Sequence, residues 1–276
     1  MDTPFVPNPS NVPHGDPAGH AVASLKGYAY QIYASALAWL DLGDDAELYL
    51  EVAQDYATAA KEALAAVQVK DTQANITINS ANIRQAINDF VDLVKRNSGR
   101  RVALRFLTTS NIGTEQKVED RAAGEPTLKY WARAAGDADI GPLRKVLERL
   151  ELNDEAKAYI KECTDEQLRS DLVGRISWDC GAPGFDQIKQ EFEERVVTFA
   201  NQHFGVPPSE AKRSAATILQ HVLEKAIEAE PFKRKLTRAA LLELVEKATH
   251  ISIPRAGLET GSNGVKTGSP ISRQVK

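Results

Sequence analysis

The stretch from Ala66 to Ser110 constrains this chain more than any other, because an amphipathic helix lies there between two apolar runs. In "SANIRQAINDFVDLVKR" (Ser80–Arg96), Ile83, Ile87, Phe90, Val91 and Val94 recur at helical spacing, and Ser80 stands where a cap belongs. Before the helix comes "AVQVKD" (Ala66–Asp71). After it, "RRVALRFLTTS" (Arg100–Ser110) reads as a buried strand bounded by Asn97–Gly99 and Asn111–Gly113. Upstream, "AELYLEVA" (Ala46–Ala53) alternates as a strand does. Between His20 and Leu42, Val22, Leu25, Tyr28, Ile32, Ala36 and Leu40 mark a helix. Helix, strand pair, helix, strand is the order of an α/β core.

One segment pulls both ways. The alanines, Lys and Glu of "QDYATAAKEALAAVQVK" favour helix, whereas the closing "AVQVK" favours strand. Its setting decides for a strand, a turn near Ala60–Glu62, and a second strand ending at Lys70.

Beyond Gly124 the pattern turns helical. Leu143, Val146, Leu147 and Leu150 share a face, as do Leu168, Leu172 and Ile176. Ile188, Phe192, Val196 and Phe199 form the next set, then Ile218, Val222 and Ile227, then Leu241, Leu242 and Val245. "GAPG" and "GVPP" punctuate them. The expected organisation is a Pro- and Asn-rich leader at 1–19, a core at 20–124 and a helical region at 125–253 packed on or following it. A Gly/Ser/Lys linker or disordered tail is expected at 254–276, closing the chain or leading into further sequence.

Composition removes several classes. A net charge of −4 provides no global field for nucleic acid, so such contact needs a local basic patch. Two candidates are Lys95-Arg96…Arg100-Arg101…Arg105 and Lys233-Arg234-Lys235…Arg238. Cys163 and Cys180, with no CxxC, suit a reducing cytoplasm and argue against structural zinc. His14, His20, His203, His221 and His250 have no partners at metal-ligand spacing, and Trp39, Trp131 and Trp178 sit at apolar helical positions, as core residues do. No apolar run approaches the ~20 residues of a membrane span, so a soluble, cytoplasmic protein is expected.

Within "AVQVK", side chains two apart share a strand face, so Gln68 and Lys70 project together while Val67 and Val69 go inward. The preceding strand brings Asp55 towards them. Glu51, four residues earlier on that strand or its entry, is expected on the same face. Two carboxylates, an amide oxygen and an ammonium suit phosphodiester hydrolysis. The oxygens bind Mg²⁺, the ion polarises a phosphoryl group and acidifies a water, and the lysine orients or deprotonates that water. A solvated, inactive strand face remains the alternative.

The order "E-x-x-x-D", short hairpin, "VQVKD" resembles the PD-(D/E)xK nuclease core in its Mrr-like branch, where glutamine replaces the second acidic residue. "GYAYQ" (Gly27–Gln31) matches the helix that precedes that core, and "FLTTS" (Phe106–Ser110) its later strand. Together with "YWARAAGD" and a helical C-terminal half, the order is similar to endonuclease domains of bacterial antiphage effectors. These occur in CBASS systems and at the front of STAND-ATPase (Avs-type) proteins. The motifs cover roughly Leu25–Leu147. The resemblance implies a restriction-endonuclease-like core, a mixed central sheet flanked by helices, followed by a mostly helical C-terminal half. It implies that Asp55, Gln68 and Glu51 hold Mg²⁺, or Mn²⁺ in its place. Lys70 matches the catalytic lysine, and Gln31 a supporting position. Double-stranded DNA is the implied substrate, with homo-oligomerisation or a C-terminal sensor as activator. A catalytically silent nuclease-like scaffold for oligomerisation or partner binding is the other reading.

Overall fold

The computed structural model describes residues 22–72 and 74–249. The expected leader and tail lie outside the described residues. The chain begins with α1 (Val22–Leu40), then an antiparallel meander of β1 (Glu47–Leu50), β2 (Tyr56–Ala59) and β3 (Ala63–Lys70). Helix α2 (Ala81–Arg96) crosses to β4 (Arg101–Thr108), which pairs parallel to β3 from Ala63↔Arg101 to Lys70↔Thr108. The α2 face carrying Ile83, Ile87, Phe90 and Val91 is fully buried. Ser80 occupies the N-cap position, but its hydroxyl accepts from Thr77 N–H at 3.0 Å rather than from the helix.

The alanine-rich hairpin is a strand pair, closed by Ala60 N–H to Ala63 O at 2.9 Å. Propensity loses because Ala57 and Ala66 lie fully buried in one cluster with Ile83, Phe90 and Phe106. Small side chains there let the α2 layer approach the sheet, so packing outweighs intrinsic preference.

After β4 come α3 (Thr127–Ala135), α4 (Gly141–Arg149), α5 (Asp154–Glu162) and the single turn α6 (Asp165–Gln167). A π-helical turn at Leu168–Leu172 and a 3₁₀ turn at Val173–Arg175 lead into β5 (Ile176–Cys180). Here the structure corrects the sequence. Leu168, Leu172 and Ile176 do enter one core, but Ile176 opens a strand rather than continuing a helix. Helices α7 (Phe185–Phe204) and α8 (Pro208–Ala226) follow, then β6 (Lys235–Thr237) and α9 (Arg238–Thr249).

The result is a mixed α/β fold around one six-stranded sheet in the order β5-β4-β3-β2-β1-β6. Both outer strands come from the 125–253 region, so that region completes the sheet. One face packs on α2 to α5. The other packs on α1, α7, α8 and α9, where Tyr33 meets Phe192 edge-on at 5.5 Å. Two expected inward faces need correction. Ile227 is exposed at the end of α8. On α1, Val22, Leu25 and Tyr28 face outward while Tyr30, Ala34 and Trp39 are buried. Trp39 and Trp131 are core residues as expected, and Trp178 is half-buried on β5. No helix of the described residues is long and apolar enough to cross a membrane.

Candidate active site

The sheet gathers the expected residues by cross-strand register. Extending Tyr56↔Val67 by one residue sets Asp55 opposite Gln68, and extending Leu50↔Tyr56 sets Glu51 opposite Asp55. Glu51 N–H donates to Asp55 O at 3.0 Å, closing that end of the β1–β2 connection. The expectation that Glu51 and Asp55 share one strand is thus corrected. β1 stops at Leu50, and Glu51 (φ 52°) and Gln54 (φ 69°) turn the chain through left-handed backbone. The two carboxylates become neighbours across the turn, not along a strand.

Asp55 is held from several sides. Its Oδ2 accepts from Val69 N–H at 2.5 Å, on the strand that carries Gln68 and Lys70. Burial pushes its carboxyl pKa above the ordinary range, against the opposing pull of the Val69 amide, Lys70 and the Gln31 side chain. Glu51 is exposed, yet neighbouring protein partly desolvates its carboxyl. That and the Asp55 charge raise its pKa, while Arg234 and Lys70 oppose the rise. Gln31 on α1, Glu51, Asp55 and Lys70 therefore act on one locality.

Gln68 completes it. It is buried on the α2 side of β3, and its Oε1 has no hydrogen-bond partner. Leaving a buried carbonyl oxygen unpaired costs about 1–3 kcal/mol, so it calls for a reason. It lies beside two carboxyls with raised pKa values, a set of oxygens that a cation would satisfy. Oxygen-only donors, two carboxylates and one amide carbonyl suit a hard ion that retains several waters. Among the described residues no three His, Cys, Asp or Glu side chains cluster as a metal site.

The rim beyond Lys70 is built from hydroxyls. Thr109 Oγ1 donates to Asp71 Oδ1 at 3.0 Å, Ser110 Oγ donates to Thr72 O at 2.9 Å, and Lys26 of α1 lies 3.8 Å from Asp71. In "GYAYQ", Tyr30 is fully buried and its hydroxyl donates to Pro183 O at 2.9 Å, with its pKa raised to about 12 by burial first and then by Asp71. That bond ties α1 to the start of α7. A Cβ at Gly27 would meet nothing within 4 Å, so close packing does not require that glycine.

Several residues of the basic runs are paired. Lys95 pairs with Glu155, Arg105 with Asp179, Lys233 with Glu230, and Lys235 with Glu47. Arg101 opens β4 opposite Ala63, seven residues or about 23 Å of strand from Lys70, too far to join the same locality. Arg234 is the residue that sequence reasoning misplaced. It belonged to a charge run proposed to grip phosphate, yet its guanidinium donates to the carbonyls of Glu228, Ala229 and Glu51. No local signal marks that contact, since Glu51 lies 183 residues away. Of the described histidines, His221 stacks on Trp39, and His203 packs on Phe199.

No protein-family model matches the chain, and no curated protein matches it at a significant level. Among solved structures, it is similar to the Acinetobacter baumannii Cap4 SAVED/CARF-domain containing receptor. The TM-score is 0.50 and the identity 11%, over 83% of this chain and 47% of that one. The same receptor with the cyclic trinucleotide 2'3'3'-cAAA scores 0.49. At such identity the likeness is one of fold, and this chain spans less than half of the receptor's length.

Proposed function

We propose that this chain is a Mg²⁺-dependent endonuclease acting on double-stranded DNA, with a restriction-endonuclease-like core of the QxK type. The observation that carries the reading is the buried, unpartnered Gln68 Oε1 in register with Asp55, next to Glu51. The element order agrees with it: a helix, a three-strand antiparallel meander, a crossover helix and a parallel fourth strand.

Asp55, Glu51 and Gln68 would hold the ion, which when bound supplies Lewis-acid polarisation of the phosphoryl group and a water of lowered pKa. The chain's own residues do the rest. Val69 N–H fixes one oxygen of Asp55. Gln31 steadies the same carboxyl. Lys70 stands on the same strand face as Gln68, where its ammonium can orient the attacking water or balance negative charge growing on phosphate.

The biological setting we infer is antiphage defence, with activation by oligomerisation or by a sensor on the same or another chain. The motif order supports it, and the fold shared with a Cap4 receptor is compatible with it. Plasmid cleavage in Mg²⁺, wild type against Asp55→Ala and Lys70→Ala, is the test. Both variants should melt as the wild type does and lose cleavage by at least ~100-fold. Cleavage by both variants at the wild-type rate would sink the assignment. Cleavage that rises more steeply than linearly with protein concentration is the expected mark of assembly.

The sparse acidity of the site favours one other reading, a nuclease-like scaffold without catalysis, since among the described residues no third carboxylate joins the two. Metal separates the two. Mg²⁺ or Mn²⁺ raises the Tm only if the oxygen cluster binds it in the native state.

A further inference from the structure

The geometry assigns Arg234 as a positioning residue for the metal-binding turn, which makes the site a composite of the strand meander and the C-terminal helical half. This inference rests on the nuclease reading for its functional consequence, though not for its structural one.

The turn from Glu51 to Asp55 is an expensive piece of backbone. Two non-glycine residues, Glu51 and Gln54, sit at φ 52° and 69°, a region that costs each of them roughly 1–2 kcal/mol. Such backbone persists only where surrounding contacts hold it. Two side chains do so here, from opposite directions. Asp89 of α2 accepts from Gln54 Nε2 at 3.1 Å. Arg234, in the short segment between α8 and β6, donates from Nη1 to Glu51 O at 2.8 Å. The same guanidinium donates from Nε to Glu228 O at 2.7 Å and from Nη2 to Ala229 O at 3.4 Å. Its own carbonyl accepts from Leu50 N–H at 2.9 Å. Arg234 therefore ties the end of α8 to the strained residue whose side chain faces Asp55.

Charge adds to the tether. Without a cation, the Asp55 carboxylate repels that of Glu51, and the Arg234 guanidinium offsets the repulsion. A planar donor fork that spans three carbonyls has no lysine equivalent, because an ammonium offers a point charge without the fixed geometry. The segment from α8 to β6 thereby reaches the Glu51 main-chain carbonyl through one side chain.

The test uses the full chain with Arg234→Ala and Arg234→Lys. Hydrogen exchange on the metal-free protein should show faster exchange of the Val52–Asp55 amides in Arg234→Ala, with protection of α2 unchanged. Arg234→Lys, which keeps the charge and loses the fork, should exchange almost as fast. The Mg²⁺ concentration for half-maximal cleavage should rise about 10-fold or more in Arg234→Ala, as for residues that orient a metal ligand, and the rate at saturating Mg²⁺ should fall less. The Tm gain from Mg²⁺ should shrink in parallel. Unchanged exchange at 52–55 together with unchanged Mg²⁺ dependence would overturn the assignment. If the wild type neither binds Mg²⁺ nor cuts DNA, the nuclease reading fails, and the exchange result still decides whether Arg234 holds the turn.

Discussion

At the scale of single residues, Gln68 is costly to stability, and the proposed ion would offset that cost. Its Oε1 is buried without a partner, and unpaired buried carbonyls are destabilising. Gln68→Leu keeps a similar volume and removes the orphan atom. In EDTA, this variant should be more stable than the wild type by about 1 kcal/mol, read as a higher Tm or a higher urea midpoint. In Mg²⁺ it should show little further gain. A variant less stable than wild type in EDTA would mean that the amide is satisfied in solution. The cysteines make a second residue-scale case. Burial and the neighbouring Asp179 raise the Cys180 pKa to about 11, and burial also raises that of Cys163. At pH 8 the thiolate fraction of Cys180 is then about one in a thousand, against roughly a quarter for an ordinary thiol. Iodoacetamide at pH 8 should label Cys180 slowly in native protein and quickly in urea. Rapid native labelling would contradict its burial.

At the scale of elements, helix α2 is the keystone. Its register sets β3 against β4 and hence Lys70 beside Thr108. Phe90 is fully buried among Ile83, Ile87 and Trp131 in the cluster on that side of the sheet. Phe90→Ala should cost about 3–5 kcal/mol, measured as a shift of the denaturant midpoint. Activity, where the variant is folded, should persist, because Phe90 offers no polar group to the site and no side chain hydrogen-bonds the Gln68 carbonyl. The elements also differ in how readily they were read. Helix α2 followed from periodicity, β4 from an apolar run between turn signals, and β3 from its setting beside them. The outward-facing start of α1 did not, because Val22, Leu25 and Tyr28 have the spacing of an inward face and are exposed. Strands β5 and β6 did not either. They are five and three residues long, too short for alternation to register, and each is held by a partner far along the chain.

At the scale of the whole molecule, the two faces of the sheet depend on each other. Leu48, Leu50, Val67 and Val69 are buried only because α1, α7, α8 and α9 cover them. A chain cut after Cys180 loses α7 to α9 and β6, and exposes that apolar face to water. Such a truncation should lack a cooperative melt by circular dichroism and should aggregate. A cooperative transition in the truncated chain would show that the meander and α2 layer fold alone.

The sequence by itself determined the parts and their chemistry. The 3.6-residue period of α2, the apolar runs around it and the Gln-x-Lys spacing on β3 are local, and local signals survive in a string of residues. Asp55, Gln68, Lys70, Glu51 and Gln31 were all nameable at that level. Tertiary structure alone decided how they meet. Glu51 reaches Asp55 across a strained turn rather than along a strand, because β1 ends one residue before it. The Gln68 carbonyl is unsatisfied only because the packed sheet removes it from water. Arg234 reaches Glu51 only once β6 has paired with β1. Register, burial and long-range pairing are properties of the closed fold, which a local pattern of residue types does not carry.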